Sequence, residues 1–257
     1  FPRKRRSMVA ADTFRFLNRD ERVSTAADWN NAQRALLWSY NLHYFDDLCA
    51  ESAVERADWH QAHITRWIAE NPVGHGFGWE PYPLSLRIVN WIKWALAGGA
   101  INPRATGEAS LVGCSFSARA MRSLAVQVRY LAPRIEWHLL GNHLLANAKA
   151  LMFAGCFFDG PEAQQWLTKG VGILVTHLGE QVLRDGGHFE RSPMYHAIVL
   201  EDLLDLINLS HSYPGVMPEK LDDALRIAAP DMLRWADVMT HADGGVAFFN
   251  DAAFGVA

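Results

Sequence analysis

The chain has 257 residues, half of them hydrophobic, with 20 % charged residues and a net charge of −4. That composition excludes a disordered segment and suits a domain with a substantial core. The acidic balance excludes the basic face of a nucleic-acid binder, and no stretch is long and apolar enough for a membrane-crossing helix.

The chain opens with Phe1 and the basic run PRKRR (2–6), without the apolar core of a signal peptide. Residues 1–27 read as a poorly ordered leader whose basic run is solvated and frayed. Helical periodicity then takes over, with helices expected over 29–50 and 53–70. PLSLRIVNWIKWALAGG reads as a helix entered at Pro83 and stopped by Gly98 and Gly99. Phe116, Ala120, Leu124, Val128 and Leu131 form an apolar stripe. Further helices are expected over 139–158, 162–183 and 195–211. Leu221, Leu225, Ala228, Met232, Trp235 and Met239 make a last stripe at three- and four-residue steps. Convincing alternating strands are absent. Short connectors between amphipathic helices imply antiparallel pairs. The expected architecture is all-α, an (α/α) assembly of helical hairpins curved into a toroid, in one domain over 1–257. A plain bundle or solenoid is the alternative.

Three cysteines, Cys49, Cys114 and Cys156, are too few and too widely spaced for a disulfide framework or a zinc site. Cys156 reads as a small core residue. His138 with His143, and His188 with His196, lack metal-ligand spacing, so neither metal nor cofactor is expected.

Chemistry concentrates in three places. EWHLLGNHLLANAKALMFAG (136–155) reads as an apolar helix that nevertheless carries His138, Asn142, His143, Asn147 and Lys149. At about 100° per residue, His138, Asn142 and Lys149 share one sector, leaving Leu139, Leu140, Leu144, Leu151 and Met152 to pack. Asn142 beside His143 makes a donor pair able to hold a carboxylate or oxyanion. Alternatively these are buried bonded groups, or Asn142 is a helix N-cap after Gly141. In DGGHFERSPMYH (185–196), Ser192-Pro193 reads as a helix entry that puts Tyr195 and His196 in the first turn. A tyrosine there is expected to have a lowered pKa, which suits a Brønsted base. Tyr195 as a packing residue, and Glu190 with Asp185 as a capping network, are the structural alternatives. GHGFGWEPYPLSLR with WSYNLHYFDDL looks like an aromatic wall contributing Tyr40, His43, Tyr44, His75, Trp79, Glu80 and Tyr82. Each of these residues alone is more often core than ligand contact.

Five blocks in order, WSYNLHYFDDL, GWEPYPLSLRIVNWIKW, HLLGNHLLANAKAL, DGGHFERSPMYHAIVLEDLLDL and HADGGVAFFNDAAFG, resemble the heparinase II/III-like family over about residues 36–255. That family contains bacterial polysaccharide lyases acting on heparan-type glycans and alginate. The resemblance implies a helical (α/α) toroid followed by a β-sandwich. The chain stops just after NDAAFG, so it is expected to be an incomplete toroid without that β-sandwich. A further catalytic His or Tyr, and any structural divalent metal, belong to the β-sandwich. The implied reaction is β-elimination on an acidic, uronate-containing polysaccharide. In it Asn142, helped by His143, neutralises the substrate carboxylate, and Tyr195 donates a proton to the leaving oxygen. His138, Glu190 and His196 are expected as further substrate contacts, Trp79 and Tyr82 as sugar platforms, Arg87 as an anion contact, and Glu80, Tyr40 and His43 as cleft wall. A periplasmic or secreted location goes with such a substrate, a cytoplasmic one being the alternative. A glycoside hydrolase using Glu80 and Glu190, and a non-catalytic polysaccharide-binding or biosynthesis accessory protein, are the other expectations.

Overall fold

A computed structural model describes residues 4–97 and 117–252. Their packing divides into two compact units, one running to Arg134 and one beginning at Ile135.

The first unit opens with a three-stranded antiparallel meander, β1 (Met8–Ala10), β2 (Thr13–Phe16) and β3 (Arg19–Arg22). The expected frayed leader is therefore folded here. Its strands are three or four residues long, too short for alternation to show in the sequence. Phe16 pairs with Arg19 across a two-residue turn at Leu17 and Asn18, both at positive φ, the geometry that matches strand twist. Even the basic run is tied down, with Lys4 N–H donating to Cys49 O at 3.2 Å; Pro2 and Arg3 lie outside the described residues. The Asp47 carboxylate anchors the meander. It accepts from the backbone N–H of Ser7 (2.6 Å) and Met8 (2.9 Å), from Arg56 Nε (2.7 Å) and from His60 Nε2 (2.8 Å).

The helix expected over 29–50 is shorter and broken. Trp29 sits in a single turn (Ala26–Asn30), α1 spans Leu36–Tyr44, and Phe45 at φ 63° stops it before a further turn at Asp46–Cys49. α2 (Ala57–Glu70), α3 (Pro81–Ala97) and α4 (Ala118–Leu131) follow. The entry of α3 is Pro81 rather than Pro83. The stop at Gly98 and Gly99, Cys114 and the first stripe residue Phe116 lie outside the described residues. Ser117 caps α4 by accepting from Ala120 N–H at 3.2 Å, and Ala120, Leu124, Val128 and Leu131 are buried as one face. Trp29, Trp38, Trp67 and Trp91 are all fully buried, so much of the tryptophan content here is core.

The second unit contains α5 (Gly141–Phe157), α6 (Pro161–Gln181), α7 (Pro193–Ser212) and α8 (Glu219–Val238). α5 packs on α6 and α7 on α8, the hairpin arrangement expected from the short connectors. α6 approaches α5 closely at Gly170, where a Cβ would lie 2.7 Å from Ala148 O. Leu221, Leu225 and Met232 of α8 are buried as the periodicity requires. Cys156 is half-buried, and burial pushes its thiol up to about 12. The described residues are thus all-α apart from one small meander. No helix among them is long and apolar enough to cross a membrane.

Lys149 answers part of the polar-helix question. Its ammonium lies 2.7 Å from Asp202 Oδ1 and also pairs with Asp205, all three buried between α5 and α7. Burial opposes the lysine charge, but Asp202, Asp205 and Glu201 outweigh it and hold the group protonated.

Candidate active site

The start of α5 is built unusually. Leu140, the N-cap, adopts φ 55° and ψ −146°, Gly141 follows at φ 54°, and no side chain of the cap residue serves the first turn. Asn142 is therefore not the N-cap but the second helical residue. Leu139 and Leu140, expected to pack, are exposed in the preceding turn. The missing cap comes from elsewhere in the chain. Glu190 brings its carboxylate to the Asn142 backbone N–H, where the helix dipole favours negative charge. Burial pushes the Glu190 carboxyl up, the Asn142 N–H and His143 pull it down, and Asp251 pushes it up again, leaving it above the ordinary range. Asn142 itself is buried.

Tyr195 stands in the first turn of α7, which is entered at Pro193. Ser192 is the cap, accepting from Tyr195 N–H at 3.4 Å. Its electrostatics reverse the expectation. Burial, followed by the negative charges of Glu190 and Asp251, pushes the phenol up rather than down. A phenol is already neutral near pH 7, and these causes keep it so. The loop that carries Glu190 is fixed by Asn250, whose Nδ2 donates to Arg191 O at 2.7 Å. Arg191 and Asn250 both sit at positive φ.

His143, 32 % exposed, has Nδ1 3.1 Å from Glu136 Oε1. Glu136 is itself clasped by Asn147: its backbone N–H donates to Asn147 Oδ1 (2.9 Å), and Asn147 Nδ2 donates to Glu136 Oε2 (3.0 Å). Sequence reasoning missed Glu136. It lies seven residues before His143 in a non-helical turn, so no periodicity links them. Asn147 thus has a structural partner. His138 lies exposed in the same turn.

His196 departs from its expected role. It is buried, Nε2 donates to Met232 O at 2.9 Å, Nδ1 accepts from His188 N–H at 3.2 Å, and Trp235 stacks 4.3 Å from its ring. Those bonds make it a fixture of the α7–α8 packing. Asp185 accepts from Gly187 N–H at 3.0 Å within its own turn.

In the first unit several expected contacts prove to be core. Arg87 is fully buried. Nε donates to Gln127 Oε1 (2.9 Å), Nη1 to His43 O (3.2 Å) and Nη2 to Gly78 O (2.7 Å), and the guanidinium lies 3.8 Å from the Trp67 ring centre. His43 is equally buried, with Nε2 bonded to Trp29 O (3.0 Å) and Nδ1 accepting from Trp67 Nε1 (3.0 Å). Burial first, then Arg87, push it down to about 3. Trp79 is buried against Trp67 and Tyr130, so it offers no face to a sugar. Tyr82 is half-buried with its ring edge to Tyr44. The Tyr40 hydroxyl donates to the exposed Glu80 carboxylate.

A groove of about 450 Å³ between α6 and α8, lined by residues such as Leu174, Leu178, Leu221 and Ile227, holds none of the expected site residues. No group of three His, Cys, Asp or Glu among the described residues is arranged to hold a metal ion.

Comparison with known proteins bears on the same blocks. The family described as Heparinase II/III N-terminus matches residues 53–253. A heparin-sulfate lyase of Pedobacter heparinus is 27 % identical over 184 residues, covering 64 % of this chain and 26 % of that protein. One from Bacteroides stercoris is 36 % identical over 74 residues, covering 28 % of this chain and 11 % of that one. The chain thus spans about a quarter or less of these relatives. Among solved structures, a heparinase III with methylated lysines superposes with a TM-score of 0.62 at 18 % identity, over 91 % of this chain and 40 % of that one. The heparan sulfate lyase HepC from Pedobacter heparinus gives 0.58 at 18 %, over 92 % and 38 %. These likenesses establish the helical fold.

Proposed function

Because this chain belongs to the heparinase II/III family, we propose that it is the helical part of a polysaccharide lyase cleaving uronate-containing glycans by β-elimination. The C5 proton of a uronate is weakly acidic while the adjacent carboxylate is charged. Donors on that carboxylate stabilise the enolate-like intermediate. The family resemblance gives that role to Asn142, which is buried, and His143, which is partly exposed, at the start of α5. The C5 proton passes to the His or Tyr that the family resemblance assigns to a β-sandwich. The C4–O bond breaks, its oxygen takes the Tyr195 proton, and a C4–C5 double bond forms.

What supports this reading is the family match over residues 53–253, with Asn142 and His143 in the first turn of α5 and Tyr195 in the first turn of α7. A phenol is an acid for the leaving oxygen, whereas a phenolate would not be. Glu190, engaged as the cap of α5, is a poor candidate for a hydrolase acid free to face a glycosidic bond. Heparan sulfate, alginate and a bacterial surface polymer are candidate substrates, and a periplasmic or extracellular location accompanies them.

The test uses the complete protein that carries this chain, incubated with heparan sulfate, alginate and hyaluronan. Ultraviolet absorbance of unsaturated uronate ends is expected, with Asn142→Ala and Tyr195→Phe each lowering kcat about 10²- to 10⁴-fold. Full activity in both variants overturns the site. New reducing ends without unsaturation point to a hydrolase, and binding without cleavage to an accessory protein.

A further inference from the structure

We infer that Glu136 is a positioning residue that sets which nitrogen of His143 faces outward. The inference rests on the proposed role of His143. The carboxylate is an acceptor, so the 3.1 Å contact requires the proton on Nδ1 of His143. A neutral ring so held keeps its lone pair on Nε2, and a protonated ring donates from Nε2. The two side chains differ in access: Glu136 is 9 % exposed and His143 32 %. The acid thus lies behind the ring, and the ring is the part that substrate can reach.

Glu136 is in turn held so that it cannot turn away. Its other carboxylate oxygen accepts from Asn147 Nδ2, and its backbone N–H donates to Asn147 Oδ1. The acid is therefore fixed at two points to one helical turn beyond His143, and its remaining oxygen has one direction left. Orienters of this kind fix tautomer and ring rotation in catalytic histidines generally. Here the orienter comes from the turn before the helix rather than from a neighbouring helix.

The test separates orientation from stability. In Glu136→Gln the amide carbonyl still serves Asn147 Nδ2, while the new NH2 faces Nδ1 and requires the opposite tautomer. In the complete protein, ¹⁵N NMR of the His143 ring, assigned by loss of its signals in His143→Ala, should show the proton on Nδ1. It should move to Nε2 in Glu136→Gln. On a uronate polymer that variant should lose about 10- to 100-fold in kcat with KM little changed. Asn147→Ala removes the clasp, so it should lower the melting temperature and lower the share of ring protonated on Nδ1, and a fully retained Nδ1 proton shows that the clasp takes no part in the orientation. An unchanged tautomer in Glu136→Gln overturns the inference. So does a switched tautomer with undiminished kcat where His143→Ala abolishes turnover. If His143→Ala keeps full turnover, the proposed role of His143 falls instead, and the tautomer alone decides whether Glu136 orients the ring.

Discussion

A Cβ on Gly141 would lie 2.5 Å from Glu190 Oε1, so the Glu190 carboxylate occupies the space that a side chain at this position would take. The same residue sits at φ 54°, a region costing other residues about 1–2 kcal/mol. Gly141→Ala should therefore lower stability by about 1–3 kcal/mol and shift the melting temperature down by several degrees. Adding Glu190→Ala should recover the steric part and leave the backbone part. Thermal unfolding of both variants measures this, and a Gly141→Ala melting temperature equal to the parent's refutes the close fit.

Lys149 is paired with both Asp202 and Asp205. Lys149→Met strands buried carboxylates and should cost about 3–5 kcal/mol. Adding Asp202→Asn and Asp205→Asn should regain a large part of it. Urea midpoints of the single and triple variants decide the matter. A single variant as stable as the parent means that the triad is not strongly coupled.

His188 is fully buried, donates from Nε2 to Gln181 Oε1 at 3.0 Å, and has no partner for Nδ1 among the described residues. Burial first, then His196, push it from 6.5 down to about 4. The unfolded chain therefore takes up the proton first as pH falls. Stability is lost between about pH 6.5 and about 4 and levels off below that, by on the order of 3 kcal/mol. His188→Gln should flatten that part of the stability–pH curve relative to the parent. Parallel curves from pH 7 to 4 would falsify the assignment.

Arg87→Lys keeps a positive charge but cannot span Gln127, the His43 carbonyl and the Gly78 carbonyl together, and it loses the flat stacking on Trp67. It should cost about 2–3 kcal/mol. Denaturant titration followed by tryptophan fluorescence reports it. An unchanged midpoint makes Arg87 a tolerant position.

The helices with an unbroken apolar stripe, α4 and α8, were legible from period alone. α1 was not, because its end is set by a left-handed Phe45 that spacing does not announce. The meander escaped because its strands carry too few residues for alternation. At the site, Asn142, His143 and Tyr195 stood out by type and by neighbouring Gly and Pro. Of the acids around them, Glu190 stood out only as a substrate contact, capping group or hydrolase acid, and Asp251 and Glu136 did not stand out. Glu190 and Asp251 reach them only through tertiary folding, and Glu136 acts across a turn. With burial, Glu190 and Asp251 push the Tyr195 phenol up, where its place in the first turn of α7 predicts a lowered pKa. A helix N-terminus is visible in sequence, and two carboxylates brought in by other loops are not. Arg87 and His43 misled for a related reason: polar side chains that hold core carbonyls carry the same letters as those that hold ligands.

The Asp47 carboxylate has a mechanical meaning as well. It grips the backbone at Ser7 and Met8 while Arg56 and His60 brace it from behind. Tension on the chain ahead of Ser7 would load both N–H bonds at once. The meander should then resist peeling up to a threshold and release in one step, a clamp rather than a zipper.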